Sequence, residues 1–212
     1  EAVPLTALLA QADSNGLKPG VAVYANNTKT QVREDSMPTP WAHSGGHLLA
    51  DHLRAVARAA AAFAAALDSG STAGPWAHAA GLWHDLGKYR PGFQRYVRLA
   101  DNPDAHIEGK VAGREKTHSA AGALWAIQRF NKPNQPYGHI LAYLIAGHHA
   151  GLDDWNGGLN ERLQGEDAQQ ELADALAAQP PSELLVHDDL ATHIPGGAAG
   201  FALWVRLLFS CL

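Results

Sequence analysis

The chain has 212 residues, of which 46% are hydrophobic and 17% charged, and its net charge is −5. This length and composition fit one domain with a proper core, and they exclude a disordered chain or two large domains. The negative charge argues against a general nucleic-acid coat protein, and the single cysteine, Cys211, excludes an internal disulfide, so a cytoplasmic location is the default expectation.

Residues 1–36 differ from the rest of the sequence. Asn-Gly, Pro-Gly and Asn-Asn pairs mark turns in this segment, and the run Val21–Tyr24 is compatible with a short strand. Met37 is the one methionine of the chain and is followed by Pro38 and Pro40. We therefore expect a domain over residues 37–212, preceded by an appended extension; an internal methionine in one natural chain is the alternative.

Hydrophobic periodicity predicts that the domain is built from helices. The first helix is predicted to follow Gly46 and to end near 68–70, with one apolar face formed by Leu49, Leu53, Val56, Ala60, Phe63 and Leu67. Further helices are predicted over 75–86, 91–99, 139–148 and 161–178, and another from Thr117 or Ser119 to about residue 130, because Gly, Pro and Asn punctuate the intervals between them. No strand-rich region is predicted.

A last helix is predicted after Gly197, and its apolar stripe is still running at the end of the sequence. No Gly, Pro or basic cap follows it, so we expect the chain to be cut inside a longer protein. The apolar run over 198–212 contains Arg206 and is shorter than the roughly 20 residues that span a bilayer. The sequence therefore predicts a buried helix and no membrane partner.

Charge is unevenly distributed along the sequence. Residues 88–116 hold seven basic and four acidic side chains, whereas residues 150–190 hold ten acidic side chains and one basic one. A polyanion is expected to approach the first segment and avoid the second. The alternative for both segments is an ordinary solvated surface without a ligand. Gln94 and Arg95, in the basic segment, either contact the phosphates of a bound polyanion or lie on a solvated helix face.

The placement of the histidines predicts a metal site. His52 falls on the apolar face of the first helix, and His148 falls on the apolar face of the helix over 139–148. A buried polar group needs a partner, and for one histidine alone that partner is usually a backbone carbonyl. Two such histidines, together with the pairs His84-Asp85 and His148-His149, favour a shared metal site instead.

The residue types suit phosphoester chemistry. Imidazole nitrogens bind Fe, Mn, Co, Ni and Zn, whereas Mg sites consist mainly of oxygen. An aspartate can bridge two cations, and two metals about 3.5–4 Å apart can activate water and stabilise the leaving oxygen of a phosphodiester. Lys88 follows three residues after Asp85, where its charge could meet a phosphate. The second His-Asp pair, His187-Asp188, is interpreted as a decoy in an acidic loop.

Several runs together resemble the HD nuclease domain of the CRISPR-associated type I nuclease-helicase, a member of the HD superfamily of metal-dependent phosphohydrolases. The resemblance covers residues 41–212, with a variable part over 153–197. Its motifs are Trp41-Ala-His-Ser44, Leu48-Leu-Ala-Asp-His-Leu53, His84-Asp-Leu-Gly-Lys88, Phe93-Gln94, Thr117-His-Ser119 and Gly147-His-His-Ala-Gly-Leu152. Each motif is modest alone, whereas their order and spacing are specific.

The resemblance implies an all-α fold, an HD-superfamily helical bundle around a metal site. It implies a nuclease that cleaves single-stranded DNA through metal-activated water, in the antiviral defence of type I CRISPR interference. The implied cofactors are one or two divalent transition metals, with Fe, Mn, Co or Ni favoured over Mg. The implied partners are single-stranded DNA, a CRISPR RNA-guided surveillance complex and a helicase domain. That helicase is expected elsewhere in a longer chain or in a separate subunit, because the sequence has no phosphate-cradling Gly-rich loop.

The resemblance also implies a role for each site residue. One metal would be held by His52, His84 and Asp85, and the second by Asp85, His118, His148 and His149. Asp85 and Lys88 would be the catalytic residues, with Lys88 near the scissile phosphate. His43 and His47 are rivals to His52, which is preferred because it lies on the inward helical face.

One departure from the family pattern sets the expectation for activity. In the family an aspartate that ligates the first metal follows the apolar run that here ends at Leu212. We therefore expect this chain to bind one metal tightly and to cut DNA poorly. Two other functions stay open: an HD phosphohydrolase acting on a nucleotide or small phosphoester, and a metal-bound docking module without catalysis.

Overall fold

The computed structural model describes residues 39–67, 72–99, 117–130, 136–149, 151–190 and 197–212. The extension predicted over residues 1–36, with the strand proposed at Val21–Tyr24, lies outside these ranges. Within them the protein is built almost entirely from helices, which confirms the all-α prediction. Among the described helices none is both long and apolar enough to cross a bilayer.

The described part begins with a short antiparallel hairpin that was not predicted. Strand β1 (Trp41–His43) pairs with β2 (His47–Leu48), and His43 lies opposite His47. The turn between them uses Gly45 and Gly46 with φ of +97° and +82°, a conformation that glycine adopts without a steric penalty. Strands of two and three residues are too short to give an alternating sequence pattern, which explains why the hairpin escaped prediction.

Helix α1 (Leu49–Ala64) follows β2 directly and packs against α2 (Ala73–Trp83). The buried face of α1 consists of Leu49, Leu53, Ala57, Ala60 and Ala64. Phe63, predicted on this face, is 66% exposed, and that prediction was wrong. Small alanines form the face because α2 lies very close: a Cβ on Gly81 would come 2.8 Å from the Cα of Ala57.

Helix α2 ends three residues before the predicted end at residue 86. His84 and Asp85 form a turn, and a 3₁₀ helix (Leu86–Tyr89) follows. The next helix, α3, covers Pro91–Leu99 as predicted, because Pro91 suits a first helical position. This turn holds the His-Asp pair in a buried position between α2 and the rest of the domain.

Helices α4 (Ser119–Arg129) and α5 (Tyr137–Gly147) pack along each other and agree with the predicted segments to within two residues. Gly122 lets α4 approach the end of α2, since a Cβ there would lie 1.8 Å from the carbonyl oxygen of Trp83. This close approach brings the residue before α4, His118, to the turn that carries Asp85.

The polar helix predicted over 161–178 is broken into two. Helices α6 (Asn160–Gln164) and α7 (Glu166–Ala177) meet at Gly165, whose extended ψ of 148° interrupts the helix. An irregular turn (Trp155–Leu159), in which Asn156 and Gly157 have non-helical backbone angles, precedes them, and a 3₁₀ turn (Ser182–Leu184) follows. Helix α7 packs against α4. The last helix, α8 (Gly197–Ser210), contacts α2 and α5 and buries Trp204 and Leu208 in the core.

Candidate metal centre

The candidate site is built around the carboxylate of Asp85, which is 2% exposed. Its Oδ2 atom has three neighbours: His52 Nε2 at 3.1 Å, His84 Nε2 at 3.1 Å and Lys88 Nζ at 2.8 Å. We call His52, His84 and Lys88 the Oδ2 side. His52 comes from the first turn of α1, so the contact joins two elements that are distant in sequence.

The other oxygen, Oδ1, faces a different set of histidines. His118 Nε2 lies 3.2 Å from Oδ1, and His148 Nε2 lies 3.6 Å from it. His149 adjoins His118, with 2.8 Å between their Nε2 atoms. We call His118, His148 and His149 the Oδ1 side. One carboxylate therefore contacts a separate histidine group through each of its oxygens.

Backbone carbonyls fix the orientation of two of these rings. His84 Nδ1 lies 2.7 Å from the carbonyl oxygen of Gly81, and His148 Nδ1 lies 2.6 Å from that of Ile145. A carbonyl only accepts hydrogen bonds, so in each ring Nδ1 carries the hydrogen that is donated. The Nε2 atom of the neutral ring then presents its lone pair to Asp85, an arrangement that is usual for metal-bound histidine.

The atoms of this cluster are suited to bind a cation among them. Asp85 Oδ1 and His148 Nε2 are buried atoms without a hydrogen-bond partner, and both are acceptors when the ring is neutral. Two ligands that bind one cation at about 2.0–2.2 Å lie about 3–3.5 Å from each other. The separations between Asp85 and its four histidines are 3.1–3.6 Å, so the residues present fit a divalent metal.

The electrostatics favour the forms that bind metal. Burial raises the pKa of the Asp85 carboxyl, but the charges of His84 and Lys88 outweigh it and hold the pKa well below its usual range. Burial, followed by the neighbouring His148 and His118, lowers the pKa of His149 to about 3. Metal ligands must be deprotonated, and these two pKa shifts keep Asp85 and His149 in that form.

Lys88 is itself buried. Its ammonium forms an ion pair with Asp85 and lies 5.5 Å from the centre of the Phe93 ring. Gln94 holds the backbone beside it. Its Nε2 donates to the carbonyls of Lys88 at 2.7 Å and Trp41 at 2.9 Å, while its Oε1 accepts from Trp41 N at 2.8 Å. Gln94 therefore ties β1 to Lys88, and the solvated-face alternative is wrong for this residue.

Glu171, which was not predicted from the sequence, holds the start of α4 close to the turn that carries Asp85. Its side chain is 2% exposed, and Oε1 accepts a hydrogen bond of 2.8 Å from the backbone N–H of Ala121, in the first turn of α4. The same oxygen lies against Gly87, where a Cβ would come within 2.7 Å. The signal was present: Glu171 lies on the helical face that Ala168 and Ala175 define, at spacings of three and four.

The structure separates the proposed site histidines from the other candidates in the sequence. It is His52 whose ring contacts Asp85, whereas His43 and His47 lie in the hairpin. The ring of His187 packs against those of His78 and Trp83, and among the described residues it belongs to none of the groups that could hold a metal.

An all-α domain that encloses a His-Asp pair within histidines from other helices has the architecture of HD-type metal-dependent hydrolases. The sequence model of the family described as "Cas3, HD domain" matches residues 39–193, which is more than half of the chain. The chain belongs to this family, and the resemblance noted in the sequence is confirmed. No curated protein matches the chain.

Proposed function

We propose that this domain is a nuclease that cleaves single-stranded DNA in type I CRISPR interference, using divalent metals held by the Asp85 cluster. The observation that carries the proposal is the division of the Asp85 contacts, with His52 and His84 at one oxygen and His118 and His148 at the other. Family membership supports the general class, a metal-dependent HD hydrolase.

Under this proposal the two sides of Asp85 hold separate cations. His52 and His84 with Oδ2 would form one site, and the Oδ1 side, including His149, would form the other. Nitrogen-rich donors favour Mn, Fe, Co or Ni over Mg. Bound there, such cations supply Lewis-acid stabilisation and lower the pKa of a water. The chain's own contribution is to hold the rings: the Gly81 and Ile145 carbonyls orient two of them.

The basic side chains on and beside helix α3 favour a polyanionic substrate. Lys88 lies just before it, Arg95 is exposed on it, and the guanidinium of Arg98 stacks 4.4 Å from the centre of the Trp41 ring. Proteins that bind single strands combine basic side chains along the backbone with aromatic side chains beside the bases, and Arg95, Arg98 and Trp41 supply both kinds of group. We propose that a strand enters along this helix, delivered by a helicase domain and a CRISPR RNA-guided surveillance complex.

The test is cleavage of circular single-stranded DNA by the purified chain with Mn²⁺, Co²⁺, Ni²⁺ or Fe²⁺. We expect slow strand cuts with the wild type, and a further loss of at least about 100-fold in Asp85→Ala, because the loss of a residue that merely orients a metal ligand already costs about 10–100-fold. His139→Ala is the matched control, since His139 is an exposed histidine whose ring contacts Trp155.

Two results would overturn the proposal. Hydrolysis of nucleotides or small phosphoesters without cleavage of the circle would favour the phosphohydrolase alternative. Retention of stoichiometric metal without hydrolysis of any substrate would favour the docking-module alternative.

A further inference from the structure

We propose that three histidines at the hairpin form a further divalent-cation site, distinct from the Asp85 cluster. His43 and His47 lie opposite each other in the hairpin, with His47 Nδ1 3.1 Å from His43 Nε2. The ring of His52 faces both, with centroids 5.8 Å and 5.7 Å away. Each of the three offers a ring nitrogen within 4.8 Å of the other two.

The backbone holds these rings together without help from a ligand. The turn at Gly45 and Gly46 folds β2 back on β1, which places His43 and His47 on opposite strands. Helix α1 starts directly after β2, and the N–H of Leu49 donates to the carbonyl of Pro40 at 2.9 Å. This bond fixes the start of α1 against the first strand, so a cation would meet an arrangement that already exists.

The donor set defines the class of ion. It contains three imidazoles and no carboxylate, so it suits Zn²⁺, Ni²⁺, Cu²⁺ or Co²⁺, whereas Mg²⁺ and Ca²⁺ require oxygen ligands. His47 is exposed, and His43 and His52 are half-buried. Three protein ligands near solvent leave coordination positions for water or an added ligand, as in open zinc sites.

Sharing of His52 couples this site to the Asp85 cluster. The Nε2 atom of His52 lies 3.1 Å from Asp85 Oδ2. A neutral imidazole has one lone pair, so His52 binds one cation at a time. A cation held with His43 and His47 therefore withdraws His52 from the Oδ2 side and weakens metal binding there. This consequence, unlike the hairpin site itself, rests on the proposed function.

The test is titration of the metal-free chain with Ni²⁺ by calorimetry. The comparison is made in the Asp85→Ala background, because the Oδ2 side shares His52 with the hairpin site and would otherwise take up an ion when the hairpin site is lost. Asp85→Ala is expected to bind one more Ni²⁺ than the double variant His43→Ala/His47→Ala made in the same background, and His139→Ala in that background should match Asp85→Ala. Equal numbers and affinities of Ni²⁺ with and without His43 and His47 would overturn the site.

A second measurement guards against misfolding of the double variant. His47→Ala removes only an exposed ring, so its circular dichroism should match the wild type while its Ni²⁺ affinity at this site falls at least about tenfold. An unchanged affinity would also overturn the site.

The coupling is tested by inhibition of Mn²⁺-dependent cleavage with excess Zn²⁺, which should be weaker in His47→Ala. Equal inhibition would overturn the coupling. Absence of cleavage in every variant would contradict the proposed function, while the Ni²⁺ count would still decide the hairpin site.

Discussion

The Nε2 atoms of His118 and His149 lie 2.8 Å apart, although one residue precedes α4 and the other follows α5. Two ring nitrogens at this distance share either the hydrogen that one neutral ring donates to the other or a metal ion. Burial and two neighbouring histidines lower the pKa of His149 to about 3, which disfavours extra protons there. The pair is therefore suited to a metal, on the side of Asp85 where Oδ1 is otherwise without a partner.

His149→Ala should weaken Mn²⁺ binding by at least about 10–100-fold, because it removes one of the proposed ligands of the Oδ1 side. His149 lies at the protein surface, with its ring against those of His118 and His148, so the fold should be retained. Calorimetric titration with Mn²⁺ measures the affinity, and His139→Ala, also at an exposed position, serves as the control. An unchanged Mn²⁺ affinity would remove His149 from the ligand set.

Lys88→Met should separate cleavage from metal binding. The Lys88 ammonium lies 2.8 Å from Asp85 Oδ2 and neutralises the carboxylate that a cation would otherwise bind. Without this ammonium the Mn²⁺ affinity should be equal or higher. The rate of DNA cleavage should fall, because the cation proposed to pair with the scissile phosphate is lost. Single-turnover cleavage at saturating Mn²⁺ measures the second effect. Wild-type cleavage in this variant would show that Lys88 has no role with the substrate.

Glu171→Ala should destabilise the domain by about 1–3 kcal/mol, the usual penalty for a buried donor left without its partner. The affected donor is the N–H of Ala121, in the first turn of the helix that His118 precedes. Glu171→Gln keeps an oxygen in place and should recover most of the loss. Urea unfolding of both variants measures the difference, and equal stability of the two would show that the hydrogen bond is unimportant.

His78→Gln should reduce the loss of stability on acidification. Burial, then the charges of His187 and Arg58, lower the pKa of His78 in the folded protein. In the unfolded chain His78 has its ordinary pKa of about 6.5, so below that pH the unfolded state binds more protons than the folded state. The contribution of His78 to the free energy of unfolding is therefore present above about pH 6.5 and is lost as the pH falls toward the lowered pKa of the folded state. The free energy of unfolding of the metal-free protein, measured with a chelator present between about pH 8 and pH 5, should decline less in the variant than in the wild type. An identical decline would contradict this account.

The helices were largely predictable because each carries an apolar face with a helical period. The failures have local causes. Phe63 matched the period yet is exposed, since the closely packed α1–α2 interface takes alanines instead. Gly165 breaks what looked like one polar helix, through an extended ψ that periodicity does not encode. The hairpin was missed because its strands are too short to show alternation.

The residues of the site could be nominated from sequence, but their geometry could not. Motif order singled out His84, Asp85 and the other histidines, whereas the division between Oδ1 and Oδ2 depends on how four helices converge. The Lys88–Asp85 ion pair and the buried Glu171 were missed for the same reason. A charged residue is expected at the surface when only the sequence is known. The packing of the structure shows that Lys88 and Glu171 are buried.

The most direct test of the central claim is an anomalous-difference map from crystals of this chain loaded with Mn²⁺ or Co²⁺. We predict a peak within about 2.0–2.3 Å of Asp85 Oδ1 and the Nε2 atoms of His118, His148 and His149, with a second on the Oδ2 side at high metal concentration. A metal-loaded crystal with peaks elsewhere and none beside the Asp85 carboxylate would contradict the account.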